Sequence, residues 1–77
     1  MKKTIKATIS YTVDSAHPDI KYIRNPEARQ SFTDLYTVDT DYFYSDDDIY
    51  NYIRRDLAII ASGGYNADHI HNVTYSF

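Results

Sequence analysis

Carboxylates are the first residues in this chain whose spacing could do chemistry. Asp34, Asp39, Asp41, Asp46, Asp47 and Asp48 follow one another with no lysine or arginine between positions 34 and 48. On an extended segment Asp39 and Asp41 share a face, where two carboxylates could chelate a divalent cation. The calcium-loop pattern fails, because its sixth position would be Tyr44 instead of glycine and no glutamate closes it. Histidines form the second set: His69 and His71 fall on one face of a strand, with His17 and Asp68 as further donors that could ligate zinc or copper. A histidine pair two residues apart is ordinary on a sheet surface and carries no characteristic ligand spacing. No metal site or cofactor is expected from either set. There is no cysteine and no Gly-x-Ser-x-Gly turn to present a nucleophile. Gly63 and Gly64 are the only glycines, and they stand at the end of a helix, the wrong end for an anion. These absences point away from an enzyme.

Charge and aromatic content point to binding instead. The net charge of −3 is unevenly spread: the six basic residues Lys2, Lys3, Lys6, Lys21, Arg24 and Arg29 precede position 34, and the acidic run follows. Nine tyrosines are many for 77 residues. Tyrosine joins a large apolar ring to a polar tip, which suits half-buried edges and contact surfaces. Tyr36, Tyr42, Tyr44, Tyr50 and Tyr52 interleave with the acids, giving an acidic surface set with rings. Such a surface suits a partner protein with a basic face: carboxylates steer it and rings supply contact area. The candidate partner-binding residues are Asp39, Asp41, Tyr42, Asp46, Asp47 and Tyr50. The alternative is a small nucleic-acid-binding protein that uses Lys2, Lys3, Lys6, Lys21, Arg24 and Arg29. It is disfavoured because phosphate contacts dominate such affinity and the domain is acidic.

The elements that must position these residues are legible in outline. Residues 1–77 make one domain, with a small core. The stretch 46–62 reads as an amphipathic helix. Ser45 is its N-cap, the three aspartates of its first turn meet the positive end of the helix dipole, and Gly63 and Gly64 close it. Ile49, Ile53, Leu57, Ile60 and Ala61 form its apolar stripe. Tyr44 and Ile49 are spaced for a hydrophobic staple. Residues 4–13 alternate strictly, with Ile5, Ala7, Ile9, Tyr11 and Val13 on the core face. A second strand is expected at 35–44, with Tyr36, Val38, Thr40, Tyr42 and Tyr44 inward. A third is expected at 69–77, with His69, His71, Val73, Tyr75 and Phe77 sharing a face. Between the first two strands lies either a long loop or a short helix near 26–31, started by Asn25 and Pro26. The fold class is therefore α+β: a mainly antiparallel three-stranded sheet in the order 2-1-3, with one long helix across one face. An exposed edge strand could pair two copies into a homodimer. No stretch reads as a signal peptide or a membrane span, which suits the cytoplasm.

In size, lack of cysteine, acidic tyrosine-rich middle and compact α+β plan, the chain resembles small inhibitor proteins encoded by phages and mobile elements, such as anti-CRISPR proteins. The resemblance implies a stoichiometric inhibitor that binds a bacterial nucleic-acid-handling complex in the host cytoplasm.

Overall fold

In a computed structural model, which describes residues 1–64 and 66–77, six elements follow in order. They are β1 (Lys2–Val13), a 3-10 turn (Ile20–Tyr22), β2 (Gln30–Asp39), a second 3-10 turn (Thr40–Tyr42), α1 (Asp46–Ala61) and β3 (Ile70–Ser76). Tyr65, which follows the two glycines, lies outside the described residues. The sheet has the order β2-β1-β3, and β1 is antiparallel to both neighbours. The fold is α+β with this three-stranded antiparallel sheet and one long helix.

Helix and sheet meet through the stripes their sequences define. Ile5, Ala7 and Ile9 of β1, Val38 of β2 and Ile70 of β3 are buried with Ile49, Ile53, Leu57, Ala58 and Ala61 of α1. Ile60, expected in the helix stripe, is half exposed instead, and Ala58 takes that place. The other sheet face is open to water and carries Thr4, Lys6, Thr8, Thr33 and Thr37. On it Thr8 and Thr33 join hydroxyls at 2.7 Å across the strands. Both helix caps form as their residues dictate. Ser45 accepts from the Asp48 N–H, and at the other end Gly63 and Gly64 donate back to the carbonyls of Ile60 and Ile59. Gly63 sits at φ +76°, where a Cβ would come within 2.8 Å of Pro18.

The structure departs from the sequence reading in two strands and decides between two alternatives for the segment that joins β1 to β2. The first is β2, which begins and ends five residues before the expected 35–44. Its length follows β1: the pairing runs without a break from Lys2 opposite Asp39 to Tyr11 opposite Gln30. It stops where the Asp39 side chain accepts from the Asp41 N–H and turns the chain into a 3-10 segment. Tyr42 and Tyr44 therefore leave the sheet, and Phe32 joins Tyr36 and Val38 on the core side. Between β1 and β2, where the sequence leaves open a long loop or a short helix near 26–31, the loop forms. A single turn, closed by Ala28 N–H to Asn25 O at 3.1 Å, is held by the Gln30 amide donating to both carbonyls.

The second departure lies in β3, where alternation breaks. Thr12 pairs with His71 but Ser10 with Thr74, so Asn72 and Val73 together oppose Tyr11. This is a β-bulge, and Asn72 takes the left-handed φ of +53° that asparagine tolerates. Ile70 consequently points into the core, and Val73 and Tyr75 still pack against it. His71, expected on the face of Val73, is exposed.

Candidate acidic and aromatic interface

The segment that joins β2 to α1 carries most of the candidate residues. Asp39 and Asp41 face one cation together: the Met1 amino group donates to Asp39 Oδ1 at 3.2 Å and to Asp41 Oδ2 at 3.1 Å. The bond from the Asp41 N–H, reinforced by that ammonium, holds the Asp39 carboxyl below the usual range. Both carboxylates in turn raise the pKa of the Met1 amine, Asp41 more than Asp39. Tyr42 is 84% exposed and Tyr44 fully so. The staple expected between Tyr44 and Ile49 is therefore not made. Phe43 turns inward instead and packs on Tyr52 at 5.7 Å between ring centroids. Asp46, Asp47 and Asp48 are exposed on the first turn of α1. There the unpaired backbone N–H groups favour negative charge.

Tyr50 does not join this group. Two residues along a helix is a rotation of about 200°, so Tyr50 and Tyr52 leave α1 on opposite flanks. The Tyr50 ring packs on Phe77 at 4.8 Å, with the Lys3 ammonium 5.8 Å above it and Arg54 over Phe77. Its surroundings are cationic. The Tyr52 flank holds residues that the sequence reading did not single out. Four residues on from Tyr52, Asp56 accepts a 2.5 Å hydrogen bond from the Tyr36 hydroxyl of β2. Partial burial and the nearby carboxylates of Asp56 and Asp34 hold the Tyr36 phenol well above its usual pKa. A shallow hollow of about 200 Å³ beside them is lined by Tyr52, Arg55, Asp56 and Ile59. The 52–56 spacing on a helix was the available signal, but it shows a joint face only once β2 is known to pass there.

The basic residues are dispersed. Lys2 and Lys6 stand on the open sheet face, while Lys3 is on the helix side, over Tyr50. Lys21 lies 5.1 Å from the Tyr22 ring, and Arg24 is exposed in the loop. Arg29 crosses the open face to bond Ser10, the Asn72 carbonyl and Thr74.

The histidines divide as well. Asp14 sits between His69 Nδ1 at 3.3 Å and His71 Nε2 at 2.9 Å. Chiefly through the His71 bond, its carboxyl is held below the usual range. His17 lies apart, only 4% exposed, with Nε2 on the last helical carbonyl, Ala61 O, at 2.7 Å and Nδ1 accepting from the Asp19 N–H. Among the described residues no group of three His, Asp or Glu side chains could hold a metal ion, and no helix is long and apolar enough to cross a membrane.

The geometry thus gathers Asp39, Asp41, Tyr42, Asp46 and Asp47 on one exposed segment and extends it, through Phe43 and Tyr52, to Tyr36 and Asp56. Compared with models of protein families, with curated proteins and with solved structures, the chain matches none.

Proposed function

We propose that this chain is a non-enzymatic interaction module whose acidic, tyrosine-bearing segment 39–48 docks on a basic surface of a partner protein. The observation that carries the reading is the exposure of Tyr42 and Tyr44 among Asp41, Asp46, Asp47 and Asp48. Large rings left in water among carboxylates are placed for contact, since aromatic anchors within a charged rim concentrate binding energy. The paired carboxylates of Asp39 and Asp41 already accept one ammonium group, that of Met1. A lysine of the partner would bring the same chemistry. The resemblance in size and character to anti-CRISPR proteins makes a nucleic-acid-handling defence complex of a bacterial cytoplasm the partner class to test first. The chain would act there as a phage-encoded inhibitor, covering a groove that otherwise holds a phosphate backbone.

The test is affinity capture from a bacterial lysate with and without nuclease, repeated with the Asp39→Lys, Asp41→Lys double variant. A protein complex retained after nuclease and lost with the double variant supports the reading. Capture that disappears with nuclease, or that the double variant leaves intact, overturns it and favours the basic residues.

A further inference from the structure

The outer edge of β2 pairs with no other strand, and the phase of its backbone is fixed. The Thr40 N–H donates to Met1 O, so within the unbroken register the even-numbered residues of β2 bond to β1. Ser31, Thr33, Leu35 and Thr37 therefore direct their N–H and C=O groups outward. Of these, the Leu35 N–H turns to the neighbouring Asp34 Oδ1 at 2.8 Å. The Leu35 side chain is 66% exposed on the open sheet face. Proteins usually defend such an edge with charged side chains, lysine above all, with proline, a bulge or a covering segment; Asp34 is the one charge in the interior of β2. From Gln30 to Asp39 there is no lysine, no proline and no bulge. The other edge, β3, is shorter, bulged at Asn72 and strapped by Arg29.

We infer that β2 is a self-association edge: two copies pair antiparallel through β2 about a two-fold axis at Leu35, joining two three-stranded sheets into one of six strands. A second copy is the occupant because the edge is self-complementary in this register. Leu35 meets the Leu35 of the second copy, Thr33 meets its Thr37, and Ser31 meets its Asp39. On the helix side Asp34 meets its Tyr36. Moving the axis by one residue to Asp34 would set two carboxylates directly opposite each other, which destabilises a strand pair. The arrangement is isologous and closed, as most homodimers are. It does not rest on the function proposed above.

Light scattering on eluted protein, from micromolar to millimolar loading, tests it. The expected result is a species of twice the 9.0 kDa chain mass that grows with concentration. Leu35→Glu faces Lys6 within its own sheet, so it is compatible with the folded chain while opposing its copy across the axis. It should raise the dimer dissociation constant at least about tenfold, one like-charge pair being placed at the centre of the contact, with an unchanged circular dichroism spectrum. The cysteine-free chain also admits single spin labels. Labels at Ser31→Cys and at Asp39→Cys stand equally far from the axis, so both like-to-like distances should fall near ~27 Å at about 3.4 Å per residue. A monomer at every concentration, a dimer indifferent to Leu35→Glu, or clearly unequal label distances each overturn the inference.

Discussion

Replacing Tyr36 by Phe removes one hydroxyl and leaves the ring in place. The hydroxyl donates to Asp56 Oδ2 at 2.5 Å and is the only described hydrogen bond between the β2 and α1 side chains. Bonds to a charged group contribute about 1.5–3 kcal/mol when buried. Tyr36 and Asp56 are each only partly buried, and water competes, so a value around the bottom of that range, about 1–2 kcal/mol, is expected at neutral pH. For a domain of this size that is a fall in Tm of roughly 4–16 °C. The sign with pH follows from linkage. Partial burial and the Asp56 bond raise the phenol's pKa in the folded state. Its contribution is therefore complete below the unfolded value of 10.0 and declines as pH rises above it. In that region rising pH removes stability through this group from the parent and none from the variant. Urea unfolding followed by circular dichroism at pH 7, 9, 10.5 and 11 should show the two proteins converging above pH 10. A variant as stable as the parent at pH 7, or a difference that stays constant from pH 9 to 11, would refute the reasoning.

Other substitutions separate packing, backbone and charge. Ile53, with no exposed surface at the centre of the α1 stripe, should cost about 2–5 kcal/mol when cut to alanine, enough to unfold much of so small a domain; urea titration measures it. Gly63→Ala forces a side chain onto Pro18 at a left-handed backbone position, whereas Gly64→Ala, at φ +93°, meets open space. The first should lower Tm clearly more than the second, although both carry the backbone strain. Asp14→Asn removes a carboxyl whose pKa is lowered by His71. The stability it confers is present above the unfolded value of 3.8 and is lost as pH falls through the folded value. An acid titration of stability should accordingly be flatter for the variant below pH 4, and an identical acid limb would rule out the contact.

The parts of the fold legible in the sequence are those in which a single period runs without interruption. β1 alternates over its length and α1 repeats its apolar residues with both caps written beside it, so their faces and the strand order follow. β2 was displaced because strand length is decided by the partner strand, and Thr37 to Tyr44 alternate as well as Gln30 to Thr37 do. Only the Asx turn at Asp39 marks the stop, and its side-chain bond to Asp41 has no signature distinct from any exposed aspartate. The phase of β3 failed at Asn72, where one residue with positive φ shifts every side chain before it. In the candidate interface, the contiguous acids and Tyr42 were visible from adjacency alone. Tyr50 stands apart from the rest of the set because sequence proximity to Tyr52 hides a half-turn of helix. The Tyr36–Asp56 contact joins elements twenty residues apart, and nothing local announces it.

The bulge at Asn72 works like a spare letter between two words already in frame. Ile70 on one side and Val73 and Tyr75 on the other all face the core because of that extra residue. Excising Asn72 would bring Ile70, His71, Val73 and Thr74 into plain alternation, with the inward set unchanged. A one-residue loss within a strand normally inverts half of it. Here the strand has room to lose one while both halves keep their place in the sheet. What would be given up is the Asn72 carbonyl that anchors Arg29 and the Asn72 amide that reaches Thr12. The extra residue is thus also a fastening point for the open face of the sheet.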